Sequence, residues 1–146
     1  MLCIGIIWNR AMNHEKEITS LILQEGNILH EKEINLDSRF DDFVSGIYFD
    51  ANPTHVQAKI QALKCDYSRT IKLMHLDIKT DYKYFSLNKE AFVYKNIEAL
   101  KEKIRYEISL KIPNYYFDVI FHLTDNKYEY EKTLQFLENF FEKNIP

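Results

Sequence analysis

The sequence predicts an α+β fold, a split βαβ antiparallel sheet with helices packed mainly on one face. Three observations carry that expectation. Two short, mostly apolar stretches, the continuous run Leu2 to Trp8 and the segment Tyr115 to Leu123, have the length of buried strands. Between them, apolar residues recur three and four apart in several stretches, the spacing of helices with one buried face. Nothing Pro-, Gly- or Ser-rich separates these segments, so residues 1–146 read as a single domain.

Taken in order, Leu2–Trp8 is the first strand. Asn13 is a candidate N-cap for a helix from His14 that carries Ile18, Leu21 and Ile22, and Gly26 reads as its C′ residue. "NILHEKEINL" alternates loosely. Ile28, His30, Lys32 and Ile34 point one way, and Leu29, Glu31 and Glu33 the other, which suits an edge or half-exposed strand. Asp37 or Ser38 caps a helix bearing Phe40, Phe43, Val44 and Ile47. "DANPTH" breaks it, and Pro53 at N1 opens the next, with Val56, Ile60 and Leu63 on one face.

"RTIKLMHLDI" is a strand. Ile71, Leu73, His75 and, less cleanly, Asp77 alternate against Lys72, Met74, Leu76 and Ile78. Residues 79–94, "KTDYKYFSLNKEAFVY", show no clear period. Asn96 opens a helix with Ile97, Leu100, Ile104 and Ile108, which "IPN" ends. After the strand "YYFDVIFHL", Asn126 with Glu129 three residues later makes a capping-box-like start. The last helix carries Tyr130, Thr133, Leu134, Leu137, Phe140 and Phe141. The order β-α-β-α-α-β-α-β-α points to a ferredoxin-like sheet. "HEKEI" occurs at His14 and at His30, once in a helix and once in a strand, so it is no repeat. It is also no metal motif, because the second histidine of HExxH is missing.

Composition narrows the function. A net charge of −3 provides no global positive field for nucleic acid. No apolar run approaches the roughly 18 residues of a membrane span, and the apolar start lacks a basic region before it. A cytoplasmic protein is the expectation. Cys3 and Cys65 lie in no CxxC or metal-spaced pattern and read as two reduced, packed thiols. No Gly-rich phosphate loop, GxSxG or paired cysteine ligands are present, and no metal ligands are assigned.

His122 is the first candidate for chemistry. It ends a strand just before a capped helix, whose free amides and positive dipole end favour an anion. Thr124 and Asp125 can bond a ring nitrogen or the loop backbone, and an oriented imidazole serves as phosphoryl acceptor or general base. The bland alternative is a half-buried, locally satisfied histidine beside an ordinary cap. Lys101 and Arg105, four apart on "KEKIR", share a helix face as a phosphate clamp requires; the alternative is a solvated face. Trp8 is either a stacking surface or core. Tyr48, His55 and Lys59 form a fourth set around the break between two helices.

In this order of segments the chain resembles the nucleoside diphosphate kinases. The segments "IGIIWNR", "EITSLILQEGNILHEKEINL", "FDDFVSGIY", "TIKLMHLDI", "EKIRYEI" and "VIFHLTDNKYEYEKTLQFLENFF" follow the family's succession over most of the chain. His122 and the Thr124-Asp125 pair sit where the family's phosphoryl-accepting histidine and its following Ser-Asp sit. The resemblance implies that His122 is phosphorylated by one nucleotide and passes the group on. It loosely matches Tyr48 and His55 to base-binding helices, Arg105 to a family arginine, and Glu129 or Glu131 to the glutamate that pairs with the histidine. Trp8-Asn9-Arg10 replaces the family's Lys-Pro-Asp, and Val119 its Asn three residues before the histidine.

The expected activity is therefore a nucleotide-dependent phosphotransferase. His122, Thr124 and Asp125 are its catalytic set, and Lys101, Arg105, Trp8, Tyr48 and His55 bind a nucleotide or another phosphorylated small molecule. Mg2+ accompanies the nucleotide, held mostly by phosphate oxygens and water. Open sheet edges leave room for a homo-oligomer. The alternative is a non-catalytic ferredoxin-like interaction or nucleotide-binding module, with Tyr82, Tyr84 and Phe85 as an exposed protein interface.

Overall fold

The computed structural model describes residues 1–113 and 119–143. Its centre is β1 (Leu2–Ile7), which pairs antiparallel with β3 (Thr70–Ile78) on one side and β6 (Phe121–Leu123) on the other. β2 (Gly26–Asn35) pairs with the outer side of β3, giving the order β2-β3-β1-β6. The crossover helices are α1 (Glu15–Leu23) and α4 (Lys95–Ser109). α2 (Phe40–Ile47) and α3 (Pro53–Leu63) connect β2 to β3, and α5 (Lys127–Lys143) closes the chain. Among the described residues no helix is long and apolar enough to cross a membrane.

β1 is apolar on both sides, so the sheet is covered on both sides. Cys3 and Ile7 pack with Met74, Leu76 and Ile78 against Ile18 and Ile22 of α1 and Ile97, Leu100, Ile104 and Ile108 of α4. Ile4, Ile6 and Trp8 pack the opposite way, against Phe40, Phe43 and Val44 of α2, Val56 and Ile60 of α3, and Leu137 and Phe140 of α5. The expectation of helices mainly on one face thus describes the crossover pair α1 and α4. The other three helices cover the second face, because an uninterrupted apolar run like Leu2–Trp8 needs cover on both. Each such side chain contributes roughly 1.5–3 kcal/mol through burial.

Several expectations shift locally. Gly26 is not a left-handed C′ residue; it opens β2, and an added Cβ would collide with the backbone carbonyl of Asp77 on β3. Asn9–His14 and Asp37–Arg39 are 3₁₀ turns, so α1 starts at Glu15 without a side-chain cap and α2 starts at Phe40. Pro53 opens α3 as expected, and Asn52 Oδ1 accepts the Thr54 N–H at 2.8 Å. A bulge between Ile28 and His30 divides β2. Ile28 then packs toward α1 and α4, while His30, Lys32 and Ile34 face the other layer. Residues 79–94 contain a separate hairpin, β4 (Lys83–Ser86) with β5 (Ala91–Tyr94). The strand expected from Tyr115 begins outside the described residues; its described part is Phe121–Leu123.

Of the two thiols, Cys3 is buried and Cys65 is exposed, so only one is packed as expected. Burial pushes the Cys3 thiol up to about 12, so it remains a protonated core group.

Candidate functional site

His122 lies opposite Ile6 in the β1–β6 ladder and so faces the layer of α2, α3 and α5. β6 is the sheet's short edge strand, which lets α4 on the other face reach around it. Arg105 Nε donates to the edge carbonyl of Phe121 at 3.0 Å. The result is a cleft of about 490 Å³ lined by Tyr48, Phe49 and Asp50 after α2, Asn88, Lys89 and Glu90 from the hairpin tip, Lys101 and Arg105 from α4, His122, and Glu129 and Thr133 from α5.

The histidine is 9% exposed. Its ring meets Tyr48 edge-on at 5.3 Å, and its buried Nε2 has no hydrogen-bond partner. A buried polar atom without a partner is a costly arrangement that structures retain at few positions. Burial, followed by the Lys101, Arg105 and Lys89 charges, holds its pKa well below the usual histidine range. The ring is therefore neutral at pH 7 and carries a lone pair on one nitrogen.

Asp125 anchors the charges around it. It is fully buried, and its carboxylate accepts from Lys89 at 2.6 and 2.7 Å and from Lys101 at 2.8 Å. Burial alone would raise its pKa, but the two lysines outweigh it and hold the carboxylate below the usual range. Lys101 is held below the usual lysine range, chiefly by burial against the pull of Asp125. Lys89 stays above it, because Glu129 and Asp125 overcome its own desolvation. Glu129 is pushed up, first by burial and then by Asp125.

The helix start predicted at Asn126 is present in modified form. Asn126 Oδ1 accepts the Glu129 N–H at 2.8 Å, and the Glu129 carboxylate accepts from the Asn126 side-chain amide at 2.8 Å rather than from its backbone. Thr124 is fully buried and its Oγ1 accepts the Ile4 N–H at 2.9 Å. Thr124 and Asp125 therefore direct these bonds to β1 and to two lysines, instead of orienting the imidazole directly.

His122, Lys101, Arg105 and Tyr48 thus meet in one cleft. Trp8 does not join them: it is fully buried, so it presents no stacking face, and it acts through Tyr48, donating Nε1 to the Tyr48 hydroxyl at 3.2 Å. His55 is exposed on α3 and does not line the cleft. Lys59, which shares its helix, sits 4.7 Å over the Tyr48 ring. The residue that the sequence missed is Lys89. It sits on a turn whose next residue, Glu90, holds φ at 52°. Nothing in the sequence joins it to Asp125, 36 positions on.

Among the described residues no group of three or more His, Cys, Asp or Glu is arranged to hold a metal ion. Asp125 and Glu129 are engaged by lysines and Asn126, and Asp50 and Glu90 are the other carboxylates on the cleft wall.

The fold is the ferredoxin-type α+β arrangement of the nucleoside diphosphate kinases. An orthorhombic crystal form of the Aquifex aeolicus nucleoside diphosphate kinase superposes with a TM-score of 0.59 at 11% identity, over 93% of this chain and 93% of that one. The Borrelia burgdorferi enzyme, a transition-state mimic with bound vanadate and ADP, gives 0.55 at 10% identity, over 93% of this chain and 85% of that one. No family model and no curated protein matches the sequence. The likeness is one of fold.

Proposed function

We propose that the protein is a nucleotide-dependent phosphotransferase in which His122 carries the phosphoryl group. The supporting observation is a neutral, nearly buried imidazole with an unpartnered nitrogen, beside Lys89, Lys101 and Arg105 in one cleft. A ring nitrogen attacks the terminal phosphorus of a nucleoside triphosphate. The P–N bond forms as the bond to the bridging oxygen breaks, and the electron pair leaves with the diphosphate. The reverse step hands the group to an acceptor. Catalysis rests on positioning and on cations aimed at the phosphate oxygens. Lys101, fixed by Asp125, and Arg105, fixed by Phe121, supply that charge. Tyr48 packs the ring edge-on. Mg2+ carried by the nucleotide would neutralise phosphate oxygens during transfer.

The test is incubation with γ-labelled ATP. An acid-labile, base-stable label is expected on wild type, discharged by added nucleoside diphosphate and absent from His122→Ala. A label that persists in His122→Ala, or none on folded wild type, removes the reading.

A second reading, a non-catalytic interaction module, rests on the outer face of the hairpin. Phe85 and Phe92 meet edge-to-face across it at 5.4 Å while 50% and 56% exposed. Tyr84 does not belong to that face; its hydroxyl bonds the Glu98 carboxylate at 2.7 Å. For a module without a nucleotide site, a panel of millimolar nucleotides would leave the melting temperature unchanged.

A further inference from the structure

We infer that Lys89 is an anion ligand delivered to the cleft by the β4–β5 hairpin, and that it binds a ligand's phosphate by exchanging it for Glu129. The inference rests on the reading of the cleft as a phosphate site and names how that site closes on its ligand.

The argument starts from the two lysines on Asp125. Lys101 comes from the middle of α4 and its side chain is 11% exposed; Lys89 comes from a hairpin turn and its side chain is 31% exposed. An ammonium has three N–H donors. Those of Lys89 serve the Asp125 carboxylate and, at 3.1 Å, Glu129 Oε2. The bonds differ in permanence. Asp125 is sealed and shared with Lys101, so it is a fixed anchor. Glu129 lines the cleft and has a second partner for the same oxygen in Asn126 at 2.8 Å. When Glu129 lets go of Lys89 it still has a donor.

A phosphate oxygen entering between Glu129 and His122 meets an ammonium already charged, already aimed by Asp125, and held on its third side by a replaceable carboxylate. The exchange swaps one charge-assisted bond for another, so little desolvation is added. It also explains why a hairpin with an exposed outer face extends its tip to this site. Asn88 and Glu90, on either side of Lys89, line the same cleft. Arg10, which follows the first strand, donates to the Pro113 carbonyl at 2.9 Å and lies outside the cleft.

The measurement is calorimetric titration of the full chain with inorganic pyrophosphate and with ADP, at fixed ionic strength. Lys89→Gln is expected to weaken both by about tenfold, one charge-assisted bond's worth. Lys89→Arg should recover most of that loss. Glu129→Gln should tighten pyrophosphate severalfold, because the competing charge is gone. The opposite signs separate ligand exchange from a structural role, which would lower affinity in both variants. Affinity within twofold of wild type in Lys89→Gln, or weaker binding in Glu129→Gln, overturns the assignment. Should Lys89→Gln fail to fold, the sign of Glu129→Gln decides alone. Absence of pyrophosphate and ADP binding by wild type would remove both this inference and the phosphotransfer reading. Normal His122 labelling with unaltered Lys89→Gln affinity removes this inference only.

Discussion

Two cavities border helix α5, and they differ in what lines them. The N-terminal half of the helix walls the polar cleft through Glu129 and Thr133. Its C-terminal half, with Leu134, Leu137 and Phe141, walls a larger groove of about 600 Å³ over Ile4, Ile34 and Leu73. The cleft holds one sheet histidine, His122, and the groove two, His30 and His75. In the groove His75 is satisfied, its Nε2 2.9 Å from the Tyr130 hydroxyl and its ring stacked on that tyrosine. In the cleft the His122 Nε2 has no hydrogen-bond partner. Volume alone favours the groove. The groups that chemistry needs, a neutral ring with a lone pair and convergent cations, favour the smaller cavity. An apolar recess can be a gap between a helix and a sheet; a buried unsatisfied nitrogen among ammonium groups is harder to explain by packing.

The contrast can be tested through stability. Asp125→Ala should have the largest effect, about 3–5 kcal/mol, because it leaves Lys101 buried without its counter-charge. Urea unfolding checks it, and a loss below about 1 kcal/mol would mean that the ion network is wetter than its burial implies.

The next effect is a pH dependence. His122 has a folded pKa below its unfolded value of about 6.5, so the unfolded chain binds the proton more readily. Its contribution is fully present above pH 6.5 and is lost as the pH falls from there toward the depressed folded value. Unfolding midpoints between pH 7 and 5 should therefore drop more steeply for wild type than for His122→Asn. Equal slopes would place the ring in water.

Tyr48→Phe should remove about 1 kcal/mol, since buried Trp8 loses the acceptor of its indole N–H. The smallest effect belongs to the groove. Glu138→Gln should stay within about 0.5 kcal/mol and leave pyrophosphate affinity unchanged. A large effect there would mean that the groove carries function after all.

Much of this was legible beforehand, for identifiable reasons. Ile71, Leu73 and His75 set against Lys72, Met74 and Leu76 fix β3 by period two, and the three-four spacing of Ile97, Leu100, Ile104 and Ile108 fixes α4. Lys101 and Arg105 could be paired because four residues make one helical turn. The hairpin could not be read, because it is apolar on both faces. Val93 is buried inside while Phe85 and Phe92 stand outside, so no alternation survives. Lys89 was invisible with it, since its partners are set by tertiary packing. Trp8 stays open in the sequence between stacking surface and core, because a strand-end aromatic looks the same whether its far side is solvent or, as here, Phe43 and Tyr48.

One detail of the hairpin reaches further. Glu90, with φ at 52°, sits where a side chain other than glycine is uphill by roughly 1 kcal/mol or more. The bend is therefore not the chain's own choice; the flanking strands and the grip of the neighbouring lysine impose it. Glu90→Gly would make that bend comfortable while loosening the uncomplexed turn, trading readiness for ease. Whatever holds the tip in shape also sets how far the Lys89 ammonium reaches into the cleft.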